Sequence, residues 1–116
     1  MKKINIIKKS IDFDRIIKLK QGFVNNSFII NIETNTDNIP KFGITFKKNL
    51  CNAVTRNKLK RQVKAIIDNN KNNYQKDKNY IIIVRKGALD KKYIDLELEL
   101  ISLLNKTKEK TNEKKN

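Results

Sequence analysis

The run Tyr80-Ile81-Ile82-Ile83-Val84 constrains this chain more than any other segment. Successive residues of a strand point to opposite faces. A strand that is apolar at every position must therefore be covered on both sides. The run predicts a central strand with helices packed over it, broken by Gly87. Two alternating runs supply neighbours. Phe28 to Glu33 sets Phe28, Ile30 and Ile32 against Ile29, Asn31 and Glu33, and Phe42 to Lys47 sets Phe42, Ile44 and Phe46 against Gly43, Thr45 and Lys47. Phe23-Val24 reads as a short strand after Gly22, with Asn25-Asn26 as its turn. Residues 34–40 and 69–79 are polar and read as loops, Tyr74 excepted.

Three segments read as helices. Over residues 10–19, Ser10 is a candidate cap and Phe13, Ile16 and Ile17 share a face. From Ala53 to Asn69, Asn52 is a favoured N-cap and Leu59, Val63, Ile66 and Ile67 form an apolar stripe. Tyr93, Leu96, Leu98, Leu100, Ile101, Leu103 and Leu104 mark the last helix. Residues 107–116, TKEKTNEKKN, lack apolar groups and are expected to be a disordered basic tail. With 116 residues and no internal repeat, the chain makes one domain, 1–106, of α+β class in the order α-β-β-β-α-β-α.

The helix from Ala53 also carries the chemistry. Arg56, Asn57, Lys58, Lys60, Arg61 and Lys64 sweep the arc beside its apolar stripe. The cations crowd toward the helix start, where the macrodipole disfavours them. A costly charge arrangement points to a polyanionic partner. The balance of 27 basic to 12 acidic residues, net +15, points the same way. Only four arginines occur, Arg15, Arg56, Arg61 and Arg85, and two of them lie in this helix. Their planar fork suits phosphate in a way lysine does not reproduce.

Several chemistries are excluded. There is no histidine, so imidazole catalysis and Ser-His triads are absent. Cys51 is alone, which removes intrachain disulfides and cysteine-rich zinc sites. The carboxylates Asp12, Asp14, Glu33 and Asp37 are scattered and suggest no metal site. Met1-Lys2-Lys3 followed by Ile4-Asn5-Ile6-Ile7 is too short for a signal peptide, and no run approaches a membrane span. The expectation is a soluble cytoplasmic protein with no membrane partner and no small-molecule substrate.

The residues resemble the bacterial ribonuclease P protein family. Its helix opens Asn-Ala-Val-x-Arg-Asn-Arg-x-Lys-Arg, matched here by Asn52-Ala53-Val54, Arg56-Asn57, Lys60 and Arg61. Ile7-Lys8-Lys9-Ser10 with Asp12-Phe13, Phe42-Gly43-Ile44, and Tyr80 to Ile83 with Arg85-Lys86 resemble other stretches of the family. The resemblance implies a two-layer α/β sandwich of the ribosomal-protein type with a left-handed βαβ crossover, against the usual hand. It implies a chain that binds a catalytic RNA through Arg56 to Lys64. It also implies a cleft for the 5′ leader of precursor tRNA at Phe13, Ile17, Ile29, Asn31, Lys47 and Lys48. Hydrolysis is then expected from the RNA with Mg²⁺, and no catalytic or metal-binding residue is expected on this chain.

The sequence departs from the family at Lys58, where arginine is usual, at Asn49, where a basic residue is usual, and at Cys51, where glycine is common. A positive-φ turn at Cys51 would be strained. Of the cleft positions only Phe13 is aromatic, so base stacking is expected to be weak. Phe13 and Ile17 also fit a plain core role, and the basic face fits a solvated surface. The rival readings are a ribosomal or other structural RNA-binding protein and, with less support from the residues, a self-sufficient nuclease.

Overall fold

A computed structural model describes residues 1–20 and 22–108 in full and, of 109–115, only their place at the end of the last helix. The elements are α1 (Ser10–Lys18), β1 (Gly22–Val24), β2 (Phe28–Thr34), β3 (Lys41–Phe46), α2 (Ala53–Asn69), β4 (Lys78–Val84) and α3 (Tyr93–Lys115). Short 3-10 turns cover Lys3–Asn5, Lys71–Asn73 and Lys86–Ala88. The expected element order is the observed one.

The strands form one sheet in the order β1-β2-β4-β3. As its composition demands, β4 lies inside, antiparallel to β2 and parallel to β3. The parallel pair β3–β4 is joined through α2, which is the βαβ crossover. One sheet face carries Phe28, Ile30, Ile32, Phe42, Tyr80, Ile82 and Val84, and α2 and α3 cover it. The stripe Leu59, Val63, Ile66 and Ile67 is buried there, as are Leu96, Leu100, Leu103 and Leu104. Truncating a buried Leu or Ile to Ala typically costs about 2–5 kcal/mol, so this layer dominates stability.

The opposite face is only partly covered. There α1 seats Ile16, fully buried, with Ile7 and Ile81, while Phe13 and Ile83 pack at the margin. The two sides of β4 are thus covered unequally, and the uncovered part of the sheet is where a ligand can reach it. Among the described residues no helix is long and apolar enough to cross a membrane.

Several local expectations change. Ser10 does not cap α1: the helix begins at Ser10, and Lys9 stands at the cap position without a side-chain bond. The loop over 69–79 is built in part, since Asn70 donates to the Ile66 carbonyl at 2.7 Å and to Glu97 at 2.9 Å. Tyr74 meets the Phe42 ring edge-on with centroids 4.9 Å apart. The expected tail 107–116 lies outside the fully described residues except for its first two. Those two belong to the fold: Thr107 is buried, and Lys108 donates to the Asn72 carbonyl. The strain expected at Cys51 is absent. The positive φ of this turn falls at Asn49, at 60°, and asparagine tolerates the left-handed region better than most residues.

Candidate nucleic-acid interface

The start of α2 is fixed by Asn52, whose side chain accepts a hydrogen bond from the Thr55 N–H at 2.9 Å. This cap satisfies one of the donors that every helix start leaves open. The first turn holds no acidic residue. Beyond it, Arg56, Asn57, Lys58 and Arg61 are exposed, and Lys60 and Lys64 are half-buried along the flank of the stripe. None of these cations forms an ion pair among the described residues. Their charges add to the positive end of the helix dipole and are left for an external anion.

The end of β3 brings a second group to the same place. Lys47 follows Phe46, its N–H donating to the Val84 carbonyl at 3.3 Å. The turn through Asn49 then swings the chain into α2. A groove of about 380 Å³ results, lined by Ile44, Thr45, Phe46, Lys47, Lys48, Asn49, Arg56 and Lys60. The Arg56 guanidinium stands 6.0 Å from the centre of the Phe46 ring, within cation–π range. Lys47 and Lys48, expected beside the cleft, are therefore grouped with the basic helix.

The cleft itself is the open part of the sheet beside α1. The register sets Val24, Ile29, Ile83 and Thr45 in one row across all four strands. Strand spacing of about 4.8 Å makes that row roughly 14 Å wide. Val24 is 57 % exposed, Ile29, Ile83 and Thr45 are half-buried, and α1 contributes Ile17 at the margin, 37 % exposed. Thr45 belongs to both surfaces, so the apolar floor runs into the cationic groove. Val24, Thr45 and Ile83 were not among the sequence candidates. Strand parity alone points to them, because they share the face of Ile29 in the observed register.

Asn31 departs from its expected exposure. It lies one row further in, with Gly22, Ile81 and Gly43, and only 6 % of it is exposed. The reason is α1, which crosses the sheet at that row and buries Ile81 under Ile16. Asn31 is part of the wall beneath the helix and not of the open floor.

At the far side α1 is clamped by charge. The Arg15 guanidinium donates through Nε to Oε2 of Glu33 at 2.8 Å, through Nη2 to Oε1 at 3.0 Å, and through Nη1 to Asp12 at 2.6 Å. Asn79 adds a donor to Glu33 at 2.9 Å. The Arg15 hydrogen bond, more than the Asn79 one, lowers the Glu33 pKa below the usual carboxylate range. Glu33 thus ties α1 to β2, and Asp12, within α1, braces the same guanidinium. Among the described residues no group of three or more His, Cys, Asp or Glu could hold a metal.

Comparisons with known proteins converge. The Ribonuclease P family profile matches residues 1–108. A ribonuclease P protein component of Mycoplasma mycoides is 40 % identical over 109 residues, covering 93 % of this chain and all of the relative. One from Streptococcus pneumoniae is 35 % identical over 108 residues, covering 93 % of this chain and 88 % of the relative. The solved ribonuclease P protein of Staphylococcus aureus superposes with a TM-score of 0.80 at 31 % identity, over 91 % of this chain and 97 % of that one. That of Thermotoga maritima superposes with a TM-score of 0.79 at 27 % identity, over 86 % and 94 %.

Proposed function

The chain belongs to the ribonuclease P protein family, and from that premise we propose that it binds a catalytic RNA and the 5′ leader of precursor tRNA. The family's complex is an endoribonuclease. In our reading this chain contributes binding to it, and the RNA performs the hydrolysis. The observation that carries the reading is the groove where Lys47, Lys48, Arg56 and Lys60 meet the apolar row through Thr45.

Each part suits one kind of RNA surface. The unpaired cations of α2 present charge-assisted donors to phosphate oxygens, which position RNA without reading sequence. The row Val24, Ile29, Ile83 and Thr45 is flat and apolar, suited to unstacked bases of a single strand. Of the cleft residues expected from the sequence only Phe13 is aromatic, so the leader is held more by apolar contact than by stacking. The Mg²⁺ that hydrolysis requires we place on the RNA. Glu33 and Asp12 are engaged by Arg15, and among the described residues no group of three or more His, Cys, Asp or Glu could hold a metal. Such work takes place in the cytoplasm, where precursor tRNA is processed.

A structural RNA-binding protein would share the basic helix but has no use for an open apolar row running into its groove. The test is the affinity of the assembled RNA–protein complex for precursor and mature tRNA. The expected result is tighter binding of precursor. Equal binding would favour the structural role. Cleavage by the chain with no RNA added would establish the nuclease reading.

A further inference from the structure

The surface of α3 that faces away from the sheet carries exposed apolar groups. Leu96, Leu100, Leu103 and Leu104 are buried against the sheet, yet Ile94 and Leu98 are 57 % and 64 % exposed. Ile94 and Leu98 stand one turn apart on the outer side of the helix, and Ile101, half-buried at the edge of the core, continues the line at i+7. A groove of about 560 Å³ runs along it, lined in part by Leu98, Ile101 and Asn105. Single exposed apolar residues are ordinary. A stripe with helical period on a chain of net charge +15 is less so, and its charges are also distinctive.

Asp95 and Lys106 lie on the same flank of the stripe, since eleven residues is close to three turns. Both are exposed, and neither forms an ion pair among the described residues. They sit at opposite ends of the stripe, roughly 16 Å apart at about 1.5 Å per residue. The midpoint between them is also near the midpoint between Leu98 and Ile101. A second copy of the helix laid antiparallel about that midpoint sets Leu98 against Ile101 of its partner. Along the shared flank it sets Asp95 against Lys106 of the partner, twice over. Only an antiparallel, two-fold arrangement makes this match, and a two-fold contact is the commonest in homo-oligomers.

We propose that the outer face of α3 pairs with the same face of a second copy of this chain. The pairing does not rest on the RNA-binding reading. It leaves the open row free, because α3 covers the opposite sheet face, and the cationic groove is lined by the end of β3, the turn after it and the start of α2, with no residue of α3. A contact over so few turns is smaller than the roughly 1,200–2,000 Å² of a stable complex, so the dimer is weak. The net charge of each copy opposes it until salt or bound RNA screens the repulsion over about 8 Å at physiological ionic strength.

The test is sedimentation equilibrium of the full chain from micromolar to near-millimolar concentration at physiological salt, repeated at higher salt. The wild-type mass should rise toward twice the monomer with concentration, and more readily at higher salt. Leu98→Glu should remain monomeric. Asp95→Lys should weaken association several-fold, and adding Lys106→Asp to it should restore wild-type behaviour. Circular dichroism confirms the fold of each variant, which these exposed positions should not disturb. A wild-type chain that stays monomeric throughout overturns the proposal, whatever else binds the stripe. So does association that survives Leu98→Glu, or a double variant no stronger than Asp95→Lys alone.

Discussion

Phe13 lies directly on Gly43: a Cβ placed on that glycine would fall 2.6 Å from the Phe13 ring and 2.8 Å from Ile81. Gly43 is what lets α1 approach β3 closely, and the closeness sets where the helix ends and the open row begins. Gly43→Ala should therefore lift Phe13 from the sheet. Overpacking of this kind costs about 1–3 kcal/mol. Thermal unfolding should fall by several degrees, at about 4–8 °C per kcal/mol for a domain near this size. An unchanged melting temperature would show that α1 shifts freely, and with it the cleft wall.

The Arg15–Glu33 clamp gives stability a defined dependence on pH. The folded pKa of Glu33 is depressed, chiefly by the Arg15 hydrogen bond. Its contribution is therefore complete above the unfolded carboxylate value of about 4.3 and is lost as pH falls through the folded value. Arg15 stays protonated throughout. Glu33→Gln should remove about 1 kcal/mol at neutral pH, a modest figure because Arg15 is half exposed. It should also flatten the loss of stability below about pH 4 in denaturant titrations. If the variant and wild type lose stability in parallel on acidification, other carboxylates set the acid limit.

Arg56 and Arg61 should matter individually for RNA. Replacing either by Ala removes charge-assisted hydrogen bonds worth roughly 1.5–3 kcal/mol, about 10- to 100-fold in affinity for structured RNA. The salt dependence should also become shallower, by about 0.7–0.9 in log K against log salt for each phosphate no longer neutralised. Lys2→Ala, remote from α2 in the sequence, serves as the comparison. Equal reductions at Lys2 and Arg61 would mean that bulk charge, not this helix face, governs binding.

Much of this was legible in the sequence because burial leaves a periodic trace. The even apolar content of Tyr80 to Val84 announced an interior strand, and Leu59, Val63, Ile66 and Ile67 announced the buried side of α2. Asn52 was readable as a cap because its side chain suits that geometry wherever it occurs. What was hidden depends on tertiary placement. The parity of β2 puts Asn31 with Ile29, but only the path of α1 decides that one is covered and the other open. Lys47 and Lys48 gave no sign that a turn through Asn49 would set them beside Arg56. The exposure of Leu98, by contrast, was legible in principle, since two residues is about 200° around a helix and sets it opposite Leu96 and Leu100.

Ile29 tests the division between leader and catalytic RNA. Ile29→Glu places a carboxylate in the open row, where it repels phosphate and takes away apolar surface. Precursor tRNA should bind the assembled complex more weakly, while mature tRNA should be nearly unaffected. The half-buried position makes a check of folding necessary, and Ile29→Ala, a gentler change, should move the ratio in the same direction. A ratio of precursor to mature affinity that holds in both variants would put the leader elsewhere.

The most direct measurement is reconstitution. The purified chain is mixed with a bacterial ribonuclease P RNA and precursor tRNA at an Mg²⁺ concentration too low for the RNA to act alone, and release of the 5′ leader is followed. Cleavage should appear with the wild-type chain, fall sharply with Arg56→Ala and Arg61→Ala combined, and be absent when the RNA is left out. A folded chain that leaves the RNA inactive under these conditions, or one that cleaves without it, would contradict the assignment of binding to the protein and hydrolysis to the RNA.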